Sequence, residues 1–114
     1  MAPIRIVTDS TVRFTTRGFL ERYPVSIVPL TIQREKTTLI ETGKSDPKEI
    51  ESIFTGYDVL PVAEPPSQET FAQLYSKLRN ETDQIISIHT SSLITPAVEN
   101  AYAASQRFLG RCDI

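Results

Sequence analysis

Two short apolar runs that end in polar, turn-forming residues constrain the fold more than any other feature of the sequence. The runs are IRIVTDS, residues 4–10, and DQIISIHTSS, residues 83–92, and both are rich in β-branched residues. Such a run is typical of a buried strand that leads into a loop. Because helix-like segments follow both runs, we expect strands and helices to alternate along the chain.

Capping signals and apolar periodicity predict the helices. Asp46, Pro47 and Glu49 resemble a cap, a first helical residue and a reciprocal capping residue, so a helix is expected from here to about Phe54. Ser67 is predicted to cap the next helix, and shorter helical character is expected over residues 17–23. The predicted apolar stripes are Phe71, Leu74, Tyr75 and Leu78 on the helix after Ser67, and Val98, Ala101, Tyr102, Ser105 and Leu109 on the last helix.

The middle of the chain combines β-rich segments with prolines. VSIVPLTIQ and TTLIET flank the polar REK, which favours a hairpin, and Pro29 indicates an edge or a bulge. The proline-rich residues 57–71 are expected to form an extended connection. The chain is therefore predicted to be α/β, with a parallel or mixed sheet of about four strands flanked by helices. Its expected buried residues include Ile6, Val7, Ile85, Ile86 and Ile88.

The end of the chain leaves two interpretations open. Gly110 is a natural helix stop, and residues 111–114 look like the approach to a further strand, which would make the chain part of a longer protein. The alternative is a frayed tail from Cys112 onwards.

Composition and charge exclude several classes of function. With 114 residues, 39% of them apolar, we expect one folded domain. A net charge of −2 without a basic cluster disfavours nucleic acid as a partner. The sequence has neither a secretion signal pattern nor an apolar run of the roughly 18 residues that a membrane helix needs, so we expect neither secretion nor a membrane span.

The residue types that bind metals and cofactors are also scarce. One cysteine and one histidine form no zinc-binding set and no internal disulfide, which favours a reducing compartment, most simply the cytoplasm. The four glycines form neither a dinucleotide nor a nucleoside triphosphate motif. We therefore expect no metal and no cofactor.

The loop after the second run, SIHTSSLITP, predicts a small-anion site. Ligands of parallel α/β sheets bind past the carboxyl ends of the strands. Thr95 and Pro96 fit a cap and a first helical residue, so the N–H groups of Ala97 and Val98 would face the loop, and hydroxyls at residues 91 and 92 would add donors. A carboxylate or a phosphate would suit these groups. The alternative is that Thr95 only caps its helix and that Ser91 and Ser92 only end a strand.

Other polar residues near the predicted strand ends are pocket candidates. His89 and Ser91 are two residues apart and would share a strand face, but no G-x-S-x-G elbow and no placed acid complete a triad, so we do not expect a hydrolase. His89 is either a base or a hydrogen-bonded strand-end residue. Asp9 and Ser10 either face the pocket or form a turn.

Four stretches follow one another in order along the chain: IVTDST, VPLTI, PPSQETF and SIHTSSLITPAVENA. Together they resemble the DegV family of fatty-acid-binding proteins, which serve in bacteria as the lipid-carrying subunit of fatty acid kinase. The resemblance covers nearly the whole chain and implies the N-terminal half of a two-domain protein, so residues 1–114 would be one α/β domain truncated before a second, lipid-binding domain.

The resemblance also implies roles for individual residues. Thr95 takes the place of the family's carboxylate-binding serine, in a loop with Ser91 and Ser92. Ala63 takes the place of the family's carboxylate-binding threonine and has no hydroxyl, and Glu64 follows it. We expect Ala63 and Glu64 to lie at the pocket.

Two classes of function follow. The first, implied by the resemblance, is a non-enzymatic protein that holds a long-chain fatty acid between two domains and presents its carboxylate to the catalytic subunit of a fatty acid kinase. The alternative is an α/β enzyme, or a subunit of one, that binds a phosphate-bearing metabolite at the Ser/Thr loop with help from His89 or Asp9.

Overall fold

The computed structural model describes residues 3–56 and 59–114 and contains two small sheets with helices packed against them. In chain order the elements are β1 (Arg5–Asp9), α1 (Phe19–Arg22), β2 (Val25–Val28), β3 (Leu30–Arg34), β4 (Thr37–Glu41), α2 (Pro47–Phe54), β5 (Val62–Glu64), α3 (Gln68–Leu78), β6 (Ile85–Ile88), α4 (Ala97–Ser105) and a 3-10 helix (Gln106–Phe108). The predicted α/β class with flanking helices is confirmed.

One sheet is entirely parallel and has the order β2-β1-β6, whereas the other is entirely antiparallel and has the order β4-β3-β5. The expectation of about four strands in one sheet is therefore wrong. Pro29 is the reason, because it has no N–H to continue a ladder and lies where the chain leaves β2 for β3. The predicted hairpin is confirmed as the β3–β4 pair.

The proline-rich connection contains a strand that the sequence did not indicate. Residues 62–64 form β5, which pairs antiparallel with β3, so the expectation of a purely extended connection is wrong there. The backbone of β5 forms its strand hydrogen bonds with β3, a segment about 30 residues earlier that local sequence does not reveal. Tyr57 and Asp58, the first two residues of the predicted connection, lie outside the described residues.

The cap residues of α2 and α3 behave as predicted. The Asp46 side chain accepts a hydrogen bond from the Lys48 N–H at 3.0 Å, and Pro47 is the first residue of α2. The Ser67 side chain accepts from the Thr70 N–H at 3.1 Å. Helix α1 is a single turn, shorter than the predicted helix over residues 17–23.

The main core lies between the parallel sheet and the pair α3 and α4. On α3 the predicted stripe is confirmed, with Phe71, Tyr75 and Leu78 buried and Leu74 packed against them. A smaller core, formed by Leu30, Ile32 and Ile53 with Leu39, lies on the antiparallel sheet.

The predicted stripe on α4 is partly wrong. Tyr102 and Leu109 are 68% and 70% exposed, whereas the buried positions include Ala101, Ala104 and Phe108. The chain tightens into the 3-10 helix after Ser105, which rotates Phe108 rather than Leu109 into the core. Small alanines at the other buried positions allow α4 to approach α3 closely.

The predicted strand burial is also only partly correct. Val7 and Ile85 are buried and Ile6 is half-buried, but Ile86 and Ile88 are 49% and 56% exposed. Side chains alternate along a strand, so Ile86 and Ile88 lie on the face away from α3 and α4.

The last residues of the chain are ordered by a further pairing. Asp113 bridges Gln84 in the parallel sense, and the Ile85 N–H donates to the Asp113 carbonyl at 2.8 Å. Cys112 is buried. These contacts support the approach to a strand rather than a frayed tail.

The corrected face of the last helix can be tested by truncating neighbouring residues. Phe108→Ala should lower the free energy of unfolding by about 3 to 5 kcal/mol because it empties a core position. Leu109→Ala should change it by less than about 0.5 kcal/mol because the side chain is exposed. Urea denaturation followed by circular dichroism measures both. Equal losses would contradict the assignment.

Candidate functional site

The loops at the carboxyl ends of β1 and β6 meet β5 and the start of α4 around a cavity of about 290 Å³. Its polar wall consists of Asp9, Thr11, Glu64, Thr90 and Thr95, of which Asp9, Glu64 and Thr95 are candidates from the sequence. The lining includes Asp9 and Thr11 after β1, Ala63 and Glu64 of β5, and Thr90, Ile94, Thr95 and Ala97 after β6. The fold thus brings Asp9, the adjacent pair Ala63 and Glu64, and Thr95 together from three separate parts of the sequence.

Two contacts hold the walls of the cavity in place. The Leu30 N–H donates to the Ser10 side chain at 2.9 Å, which ties the end of β1 to the start of β3. The Asn100 side chain donates to the Pro66 carbonyl at 3.0 Å and ties α4 to the chain after β5. Ser10 is fully buried and serves this contact rather than the cavity surface.

Ser91 and Ser92 lie outside the lining of the cavity. Both are exposed, and the Ser91 side chain accepts from the Leu93 N–H at 3.2 Å within a tight turn. The same turn is closed by bonds from the Ile94 and Thr95 N–H groups to the Ser91 carbonyl. A contact of these two serines with a ligand stays a prediction.

Thr95 is not the cap of α4, which corrects the sequence interpretation. The helix begins at Ala97, Pro96 is the cap residue with φ −76° and ψ 7°, and no side chain caps the first turn. The preceding turn delays the helix by one residue relative to the predicted start at Pro96. Thr95 lines the cavity, and the first N–H groups of α4 have no acceptor within the helix.

A chain of buried hydrogen bonds lies behind the polar wall. Asp9 Oδ2 and His89 Nδ1 are 2.8 Å apart, and His89 Nε2 is 2.6 Å from Ser87 Oγ. The Tyr75 hydroxyl donates to Ser87 Oγ at 2.7 Å. On the cavity side, the other carboxylate oxygen of Asp9 accepts from the N–H and the hydroxyl of Thr11.

His89 is a hydrogen-bonded strand-end residue, as one of the two sequence interpretations expected. Its side chain is 1% exposed, and the Phe71 ring meets its ring edge to face at 5.0 Å between centroids. The expectation that His89 and Ser91 share a strand face is wrong because β6 ends at Ile88, and His89 contacts Ser87 instead. Asp9 supplies the acid that the sequence did not place.

The protonation of this chain follows from its partners. Burial alone raises the pKa of Asp9, but hydrogen bonds from His89 and Thr11, with the attraction of His89, outweigh burial and hold that pKa below its ordinary value. An ionised Asp9 only accepts, so His89 Nδ1 carries a proton. His89 Nε2 forms the next hydrogen bond of the series, with Ser87 Oγ. Burial raises the pKa of Tyr75, which keeps the phenol a donor.

Four polar residues of the arrangement were missed in the sequence: Thr11, Thr90, Ser87 and Tyr75. Ser87 had a usable signal, since it lies two residues before His89 and shares its strand face. Thr11 and Thr90 meet only because β1 and β6 are adjacent and in register, with Thr8 opposite Ile88. Local patterns do not contain that information.

The charge of the cavity is unusual for an anion site. Its lining contains the carboxylates of Asp9 and Glu64, and no lysine or arginine is among the described residues that form it. The donors are the threonine hydroxyls and the first turn of α4. Such neutral donors suit one negative charge better than two, because no cation offsets the repulsion of nearby carboxylates.

Comparison with known proteins places the chain in a family. The family described as "Uncharacterised protein, DegV family" matches residues 3–112. The chain belongs to the DegV family. It is 31% identical over 102 residues to the DegV domain-containing protein YejH of Lactococcus lactis, which covers 87% of this chain and 35% of that protein. Protein DegV of Bacillus subtilis is 30% identical over 89% of this chain and 36% of its own length.

Solved structures of DegV proteins have the same fold. One, described as showing fatty acid binding of a DegV family protein from Thermus thermophilus, has a TM-score of 0.82 at 30% identity and covers 98% of this chain and 39% of its own. Another, described as DegV, a fatty acid binding protein from Bacillus subtilis, has a TM-score of 0.85 at 27% identity and covers 99% and 39%. The chain thus spans between a third and two fifths of the length of these relatives.

No helix within residues 3–56 and 59–114 has both the length and the apolar character needed to cross a lipid bilayer.

The role of Asp9 can be tested through pH. Asp9→Asn should lower the free energy of unfolding at pH 7 by about 1.5 to 3 kcal/mol, because bonds to a charged acceptor are lost. A carboxyl whose pKa is lower in the folded than in the unfolded protein stabilises the folded state. Its contribution to the free energy of unfolding is complete above the unfolded pKa, about 3.9, and is lost as the pH falls through the folded pKa.

The difference between parent and variant should therefore be constant near neutral pH and shrink below about pH 4. Asp83→Asn, at an exposed aspartate, is the matched control and should have little effect at pH 7. Urea midpoints across the pH range measure the three proteins. A difference that stays constant down to pH 2 would contradict this assignment.

Proposed function

We propose that this chain forms one wall of a binding site for a long-chain fatty acid and that the carboxylate of the ligand lies in the cavity beside Thr95. The observation that carries the proposal is the position of Thr95 and the uncapped start of α4 on one cavity, at the carboxyl ends of β1 and β6. An uncapped helix start favours an anion. The fatty acids of the solved DegV relatives support the same ligand class.

The apolar surroundings of the cavity also support an acyl ligand. Leu30 and Ile94 line it, and Ile94 is 78% exposed while Leu93 beside it is 95% exposed. Burying an acyl chain stabilises binding by roughly 0.8 kcal/mol per CH₂ group. The acyl chain of the ligand, rather than its carboxylate, would then supply most of the binding free energy.

We further propose that a second domain of the natural protein covers the acyl chain and that the bound carboxylate is presented to the catalytic subunit of a fatty acid kinase. This chain would act in the cytoplasm as a carrier without chemistry of its own. The resemblance to the family and the relatives' greater length support these points. The alternative of a phosphate-bearing metabolite is disfavoured by Asp9 and Glu64, because a second negative charge would meet no cation among the described residues of the cavity lining.

Extraction of the purified natural protein followed by mass spectrometry tests the proposed ligand class. Long-chain fatty acids in near-stoichiometric amount are expected. A phosphorylated polar metabolite instead of an acyl chain would contradict the proposal and support the alternative enzyme.

The proposed role of Thr95 predicts a loss of affinity without a large loss of stability. Thr95→Val should weaken oleate binding about tenfold to a hundredfold, since one hydrogen bond to a charged group is worth about 1.5 to 3 kcal/mol. Thr95→Ser retains the hydroxyl and should bind like the parent. Because Thr95 does not cap α4, the cost of about 1 kcal/mol typical of a lost cap should be absent. Titration with oleate and thermal melting measure both quantities, and a valine variant that binds like the parent would remove Thr95 from the site.

A further inference from the structure

The polar wall of the cavity contains three threonine hydroxyls, and their hydrogen bonds determine which of them can serve a ligand. Thr11, Thr90 and Thr95 all line the cavity. A hydroxyl has one proton to donate, so a threonine whose proton is already used by the protein cannot also bind a carboxylate. The three side chains are therefore not equivalent.

The Thr11 hydroxyl is committed to Asp9. Its oxygen forms a short hydrogen bond with Asp9 Oδ1, and the Thr11 N–H donates to the same oxygen at 3.0 Å. Asp9 is an acceptor only, because its lowered pKa keeps it ionised and its other oxygen faces His89 Nδ1. The proton of Thr11 therefore points at Asp9 and away from any ligand.

The position of that proton makes Thr90 the donor in the next contact. Thr11 Oγ1 and Thr90 Oγ1 are 3.3 Å apart, and Thr11 has no second proton to offer, so the hydrogen of this bond comes from Thr90. Hydroxyl bonds usually measure about 2.7 to 2.8 Å, so this bond is long and weak. A carboxylate is a stronger acceptor than a hydroxyl, by roughly a factor of two in bond strength.

We propose that Thr90 is a second hydroxyl donor for the ligand carboxylate, released from Thr11 when the ligand binds and acting together with Thr95. This inference rests on the proposed function and names a further binding residue of the same site. Ala63, on the β5 side of the cavity, has no hydroxyl, so the donors are concentrated on the segment after β6. Asp9 and His89 are positioning residues that fix the direction of the Thr11 hydroxyl.

The nearby carboxylate of Asp9 does not prevent this role. Its side chain is 2% exposed, and its oxygens accept from His89 and from both donors of Thr11. A ligand would thus meet Thr11 and Thr90 in front of Asp9 rather than the bare carboxylate. Glu64 is exposed, so solvent and salt screen its repulsion.

The test compares two ligands with the same chain, oleate and oleyl alcohol, in the natural full-length protein at pH 8. Thr90→Val keeps the shape of the side chain and removes the donor, and Thr90→Ser restores it. The matched control is Thr8→Val, which removes a threonine hydroxyl that donates to the Ile88 carbonyl at 2.8 Å outside the cavity lining. Affinities are measured by titration calorimetry and folding by thermal melting.

Thr90→Val should weaken oleate binding about tenfold to a hundredfold and oleyl alcohol binding by a smaller factor, because only oleate offers a charged acceptor. Thr90→Ser should bind both ligands like the parent. Unchanged oleate affinity in Thr90→Val, equal losses for both ligands, or an equal loss in Thr8→Val would overturn the role of Thr90. A parent protein that binds neither ligand would instead overturn the proposed function.

Discussion

The contact between Asp9 and His89 holds together the part of the molecule that the cavity depends on. It joins the carboxyl ends of β1 and β6 across 2.8 Å in an almost fully buried position. On one side it continues through Ser87 to Tyr75 of α3, and on the other through Thr11 to the cavity. A buried carboxylate without hydrogen-bond partners would cost several kcal/mol, so the bonds from His89 and Thr11 to Asp9 are required for its burial.

The same series of hydrogen bonds limits the donors that the cavity can offer to a ligand. Asp9 must be satisfied by the protein before any ligand arrives, and it uses the donors of Thr11 for that purpose. The donors left for a ligand are the hydroxyls that follow β6 and the first turn of α4. The hydrogen bonds that the buried carboxylate of Asp9 requires therefore determine which hydroxyls remain available to a ligand.

The sequence predicted those features that are encoded locally. The caps Asp46 and Ser67, the stripe of α3 and the two strands of the opening runs were all confirmed, because capping and periodicity act over a few residues. Strand β5 was not predictable in this way, because residues 62–64 become a strand only by pairing with β3. The exposed Leu109 shows the same limit, since the 3-10 turn that rotates the end of the helix is not visible in the apolar periodicity.

The candidate site was predictable to a similar extent. Asp9 and Thr95 could be placed at one edge because parallel strands end together, whereas the cap expected at Thr95 was wrong because the preceding turn delays the helix. Thr11 and Thr90 could not be paired without the register of β1 and β6. The resemblance to a family identified Ala63 and Glu64 as cavity positions, which proline-rich sequence alone would not have done.

The charge of the cavity supports the proposed carrier over the alternative enzyme of anionic metabolites. Hydroxyls and a helix start give a carboxylate directional hydrogen bonds, but no lysine or arginine among the described residues of the lining adds an ion pair. In the proposed complex, burial of the acyl chain, at roughly 0.8 kcal/mol per CH₂ group, would supply most of the affinity. In the proposed role, a head group held without an ion pair could pass to a partner protein without a strong ion pair being broken first.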